Sequence, residues 1–161
     1  MDSDDSDARS ARLAGSDEFV DALAELSFVI QGVLTRTGAK HDLSLTQLRL
    51  LGILRDRQPS MQQLAHRLGL DKSSVTGLID RAERRGMVRR ETDPSDGRGV
   101  RVVITDLGRE LAGQGAAEIR DALTVVTAPL AAAQRAALVR TARVVVETAR
   151  AVESTQCSPP G

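Results

Sequence analysis

Aromatic side chains are nearly absent from this sequence. They make up 1% of it, Phe19 and Phe28, with no Trp and no Tyr. That excludes aromatic stacking platforms for single-stranded nucleic acid and aromatic cages for quaternary ammonium ligands. Cysteine occurs once, at Cys157, which excludes an internal disulfide framework and a cysteine-rich zinc site. The two histidines, His41 and His66, stand far apart and supply no metal-binding pair. A Gly-rich phosphate loop and a nucleophile elbow are also missing, so no enzyme activity and no cofactor are expected. No apolar run approaches the roughly 20 residues of a membrane span. The start, Met1-Asp2-Ser3-Asp4-Asp5, lacks the basic and apolar regions of a signal peptide. A cytoplasmic protein with no membrane partner is expected.

The 161 residues are 41% hydrophobic, enough for one ordinary domain with a core. The 22 basic and 22 acidic side chains cancel, but they are unevenly placed. Residues 1–25 hold 2 basic and 8 acidic groups, a net −6, whereas residues 55–101 hold 11 basic and 7 acidic groups, a net +4. Such asymmetry says more about partners than the total does. Residues 1–15 are small, acidic and unpatterned, and read as a disordered arm. Residues 153–161, ending Ser158-Pro159-Pro160-Gly161, read as a flexible tail.

Between these ends the apolar spacing is mainly helical. A first helix starts near Ser16, with Phe19, Leu23, Leu26, Ile30 and Val33 as its apolar stripe and Gly38 as its stop. Ser44-Leu45-Thr46-Gln47 and Ser60-Met61-Gln62-Gln63 each fit a capping box opening a helix. Gly69-Leu70-Asp71 is a short turn. A fourth helix follows from Lys72 to Arg85 and ends at Gly86, the residue preferred just past a helix end. The period then alternates: Met87–Glu91 and Val100–Ile104 read as the strands of a hairpin whose tip, residues 93–99, is dense in turn residues. Thr105 caps a long helix to about Thr127, Pro129 breaks it, and a last helix spans 131–152 with Leu138, Ala142, Val145 and Ala149 on one face.

Helix, glycine turn, helix and basic hairpin together make a winged helix-turn-helix pattern, whose second helix fits the major groove of DNA. In the fourth helix, Val75, Leu78, Ile79 and Ala82 share one side and should pack inward. Ser73, Gly77, Asp80 and Arg84 lie opposite, flanked by Thr76 and Arg81. Ser and Thr hydroxyls can meet base edges, and the arginines can meet guanine or phosphate.

Over these residues the sequence resembles the MarR (multiple antibiotic resistance regulator) family of bacterial transcription factors. The resemblance is carried by Leu45-Thr46-Gln47-Leu48, by Leu64 to Thr76, by Ile79 to Arg90, and by Asp93-Pro94-Ser95-Asp96-Gly97-Arg98-Gly99-Val100 leading into Ile104-Thr105-Asp106-Leu107-Gly108. It covers about residues 16–152. It implies a mainly α fold with a small β-hairpin wing, a DNA-binding domain over 44–104, and dimerisation segments over 16–43 and 105–152. It further implies a homodimer on an inverted-repeat operator in double-stranded DNA, acting as a repressor that a small phenolic or lipophilic effector releases. The residues assigned to DNA are Ser60, Gln62, Ser73, Ser74, Thr76, Gly77, Arg81, Arg84 and, at the wing, Arg98. Phe28, His41 and Arg49 are assigned to an effector crevice. Two positions depart from the family pattern: Gly77 and Gly97 stand where a basic residue is common, which removes basic contacts. The rival reading is a helical protein-interaction module that has lost DNA binding, and salt-dependent DNA affinity separates the two.

Overall fold

The computed structural model describes residues 3–93 and 99–156. Its elements run α1 (Ser3–Lys40), α2 (Leu45–Leu54), α3 (Met61–Leu68), α4 (Lys72–Arg84), β1 (Val88–Thr92), β2 (Val100–Ile104), α5 (Asp106–Val126) and α6 (Ala132–Gln156). The chain divides into two compact units, one up to Leu123 and one from Thr124.

In the first unit the helix starts are set by their caps. Ser44 and Ser60 each accept from the backbone N–H three residues on, while Gln47 and Gln63 accept in return from the cap N–H. Both capping boxes are therefore formed, and four otherwise orphaned groups are satisfied. Gly69 closes α3 at φ 65°, a left-handed conformation that glycine adopts without Cβ strain. α1 is longer than the sequence predicts at both ends. It passes Gly38 to reach Lys40, and it begins at Ser3, within the segment read as a disordered arm. The run from Ser3 to Ala14 contains neither Pro nor Gly and includes Ala8, Ala11 and Ala14, so nothing in it breaks a helix.

The core collects Leu48, Leu50, Leu51 and Leu54 of α2, Leu64 and Leu68 of α3, and Val75, Leu78, Ile79 and Ala82 of α4. Met87, Val88, Val102 and Ile104 extend it along the hairpin, and Ala112 of α5 adds to it. The inward side read for the fourth helix is thus the buried one. β1 and β2 pair antiparallel with Val88 opposite Ile104 and Thr92 opposite Val100, and Asp93 N donates to Gly99 O at 2.8 Å just below the tip. The segment before α3 joins this sheet. Ser60 forms a bridge with Arg101, and Val102 N donates to Pro59 O at 3.0 Å. This fastens the wing to the helix-turn-helix.

Thr105 ties three elements at one point. Its hydroxyl donates to Gly86 O at 2.6 Å and accepts from Gly108 N at 3.1 Å. In the second unit, Ala131 N donates to Gln134 Oε1 at 2.8 Å and Arg135 Nε to Leu130 O at 2.9 Å, which starts α6 after Pro129. Leu138, Val139, Val144, Val145 and Val146 of α6 are all exposed in the single chain. In the first unit Phe19, Leu23 and Leu26 of α1 are likewise exposed, whereas Val33 is buried.

Candidate nucleic-acid interface

α4 presents a polar face because its apolar side is consumed by the core. Its N-cap is Asp71, whose carboxylate accepts from Ser73 Oγ at 2.6 Å, Ser74 Oγ at 2.6 Å and Ser74 N at 2.9 Å. These donations, Ser73 first and then Ser74, hold the Asp71 carboxyl well below the usual carboxylate range. A depressed carboxyl contributes stability that is complete above the ordinary aspartate pKa of about 4 and is lost as pH falls through its lowered folded value. Replacing Asp71 by Asn is therefore expected to flatten the acid limb of a stability-versus-pH curve below about pH 4. An unchanged acid limb in urea titrations would remove Asp71 from the capping role.

The bonds also define what this face offers to a partner. The Ser73 and Ser74 hydroxyl protons are given to Asp71, and Thr76 Oγ1 gives its proton to Lys72 O at 2.8 Å. All three oxygens remain available as acceptors. At Gly77 a Cβ would meet Arg81 Nη1 at 3.3 Å, so the Arg81 side chain lies back along the helix over the glycine. Arg81 and Arg84 are exposed. A groove of about 360 Å³ runs beside this face, lined by Ser44, Thr46, Leu70, Ser73, Ser74, Gly77, Leu78 and Arg81. A second, also about 360 Å³, is lined by Met61, Gln62, Ala65, Lys72 and Val75. The structure thus brings Ser73, Ser74, Gly77 and Arg81 together on one groove and sets Gln62 on the other. Ser60 is engaged as the cap of α3, and Arg98 lies outside the described residues.

Thr46 and Lys72 also line these grooves, although the sequence pattern assigns neither to DNA. Thr46 lies inside the Ser44–Gln47 capping box, which accounts for it without a ligand. Lys72, one of two lysines, sits one residue past the N-cap of α4, and that position was the available signal.

The wing is locked to α4 by charge. Arg90 of β1 donates to Asp80 Oδ1 at 2.5 Å and to the Glu83 carboxylate, and the Arg90 backbone N donates to Glu83 Oε1 at 3.0 Å. Partial burial opposes the Arg90 charge, but Asp80 and Glu83 outweigh it and raise its pKa. Asp80 is therefore a partner of the wing rather than an outer-face group open to a ligand. Nearer the tip, Glu91 accepts from Arg101 at 2.8 Å and Arg89 at 2.7 Å. Those two arginines, Arg101 foremost, lower the Glu91 pKa.

The residues assigned to an effector are placed differently. Phe28 is 69% exposed on α1, His41 is bonded to Glu118 at 2.9 Å, and Arg49 is exposed on α2. None of them lines either groove. Among the described residues no cluster of His, Cys, Asp and Glu could hold a metal ion, and no helix is long and apolar enough to cross a membrane.

A family model described as MarR family matches residues 41–99, the stretch from the α1–α2 loop to the wing. An uncharacterized HTH-type transcriptional regulator of Bacillus subtilis, YkoM, is 40% identical over 76 residues, covering 47% of this chain and 49% of the relative. The chain spans about half the length of the curated relatives it matches. Solved structures extend the likeness in fold. Sco3205 of Streptomyces coelicolor, a MarR family transcriptional regulator in complex with DNA, superposes with a TM-score of 0.71 at 26% identity, over 84% of this chain and 88% of that one. CouR of Rhodococcus jostii RHA1, bound to p-coumaroyl-CoA, gives 0.72 at 23% identity over 84% and 93%. Over the segment that builds its winged helix, residues 41–99, the chain is similar to the MarR family.

Proposed function

We propose that the protein is a transcriptional regulator that binds an inverted-repeat operator in double-stranded DNA as a homodimer, and a repressor that a small-molecule effector releases. The observation that carries this reading is the state of α4. Its apolar side is sunk in the core, while Ser73, Ser74, Thr76, Arg81 and Arg84 face outward beside a wing held at a set position by Arg90. Such a helix has the width and the polar groups to read a major groove. The chain-level neutrality is no obstacle, because phosphate meets the +4 winged segment and not the total. Exposed apolar residues on α1 and α6 favour a second copy as their cover, since single chains seldom leave such helix faces in water. A phenolic effector is in keeping with the structural neighbour CouR, which is bound to p-coumaroyl-CoA; Phe28, His41 and Arg49 are this chain's candidates for contact.

Selection of bound sequences from random DNA, followed by salt titration on the winner, tests the reading. Affinity is expected to fall steeply with salt, and Arg81→Ala or Arg98→Ala should each lower the log–log slope by about 1 as one phosphate contact is lost. A dimer that selects no sequence and shows no salt-dependent binding would instead be the protein-interaction module.

A further inference from the structure

The loop between α1 and α2 is gripped from two sides. From α5, Glu118 reaches Lys40 Nζ and His41 Nε2, each at 2.9 Å. From the C-terminal end of α4, Arg85 donates Nη1 to Asp42 O at 2.5 Å and Nη2 to His41 O at 3.3 Å. The loop between these holds is tightly wound. Gly38 O accepts from both His41 N and Leu43 N, at 3.0 and 2.8 Å, and a Cβ on Gly38 would meet Leu43 O at 2.5 Å. Asp42 stands at φ 53°, a conformation that costs a non-glycine residue free energy and persists only where surrounding contacts impose it. The His41 side chain is only 15% exposed, so its bond to Glu118 is better shielded than the Lys40 pair. Lys40, and then His41, hold the Glu118 carboxyl below its ordinary range, and it is ionised at neutral pH.

We propose that Glu118, His41 and Arg85 form a clamp that fixes α4 relative to α5, making Glu118 and Arg85 positioning residues for DNA binding, although neither touches DNA. Arg85 caps the end of α4 opposite Ser73 and Asp71, and Glu118 lies 33 positions further along the chain on α5. The Thr105 junction joins the start of α5 to the end of α4, and the His41–Asp42 loop is a second link that Glu118 and Arg85 share, so loss of either bond loosens that loop and the hold on the last turn of α4. This rests on the DNA-binding reading above.

The full-length chain and the variants Glu118→Ala, Arg85→Gln and their combination test it. On a selected operator each single change is expected to weaken binding by about 10-fold, within the range for coupling residues outside a ligand's contact. The log–log salt slope should stay unchanged, because no phosphate contact is lost. The double variant should lose clearly less than the two singles together, since one broken hold already frees the loop. Without DNA, Glu118→Ala should speed amide exchange at residues 41–43 and in the last turn of α4. Additive losses, a lowered salt slope for Arg85→Gln, or unchanged exchange would each overturn the clamp. Glu118→Gln, which keeps an acceptor for His41, should retain most of the wild-type affinity and serves if the alanine variant does not fold. Should the wild type bind no DNA, the DNA reading fails on its own, and the exchange measurement still decides the clamp.

Discussion

Gly108→Ala is expected to destabilise the protein by about 3 kcal/mol, at the upper end for overpacking a filled site. In a solvent-facing helix the same change would stabilise by up to about 1 kcal/mol, because glycine is a poor helix former. The sign reverses here because α5 starts in direct backbone contact with the segment that follows α4. An added methyl would stand 2.1 Å from Met87 O and 2.8 Å from Ile104 Cγ1. Neither neighbour can retreat cheaply. Met87 O accepts from Thr105 N at 3.1 Å, Met87 N donates to Ala82 O at 3.0 Å, and the Met87 side chain is buried. The Thr105 bonds to Gly86 and Gly108 hold the same junction. Gly113 on the same helix provides the control, since nothing lies within 4 Å of an added Cβ there. Urea denaturation of Gly108→Ala and Gly113→Ala should therefore give shifts of opposite sign. Equal tolerance of the two would mean that α5 does not pack against Met87 as described. The pairing of Thr105 and Gly108, which the sequence offers only as part of a family signature, thus has a packing reason.

What could be read from sequence was what depends on neighbours a few residues away. The caps at Ser44, Ser60 and Thr105, the left-handed Gly69 and Gly86, and the buried side of α4 all follow from local spacing. The links that join elements were not legible. Asp80 and Glu83 look like solvated groups on a helix face until β1 places Arg90 beside them. His41 and Glu118 are 77 positions apart, and no periodicity connects them. Nothing in the local sequence pairs Pro59 with β2, yet its carbonyl accepts from Val102 N. Phe28, which the resemblance assigns to an effector crevice, lies exposed on α1, and no local spacing distinguishes that placement from a buried one. The groove-facing residues were legible where they lie on α4, but Thr46 was not, because it enters through a different helix.

Replacing Arg90 by Met is expected to weaken operator binding by about 30-fold while costing only about 1 kcal/mol of folding stability. The stability cost is small because the ion pairs are half in water: Arg90 is 29% exposed, and Asp80 and Glu83 are 44% and 38%. Solvent screens such pairs, and Met retains the apolar stem that packs between strand and helix. The binding cost is larger for two reasons. Without the guanidinium, two carboxylates on α4 lose their counter-charge and repel the approaching phosphates. The wing also loses the Arg90 side-chain hold on α4, while the Arg90 N to Glu83 bond remains. A charge-removal series separates these effects. Adding Asp80→Asn and Glu83→Gln to Arg90→Met should restore the part due to repulsion, and whatever loss persists measures the placement of the wing. Anisotropy titrations on a selected operator, at two salt concentrations, provide the readout. Repulsion predicts a difference between the variants that shrinks as salt rises, whereas misplacement of the wing predicts one that does not. An Arg90→Met protein with wild-type affinity at both salts would mean that α4 meets DNA without help from the wing's first strand.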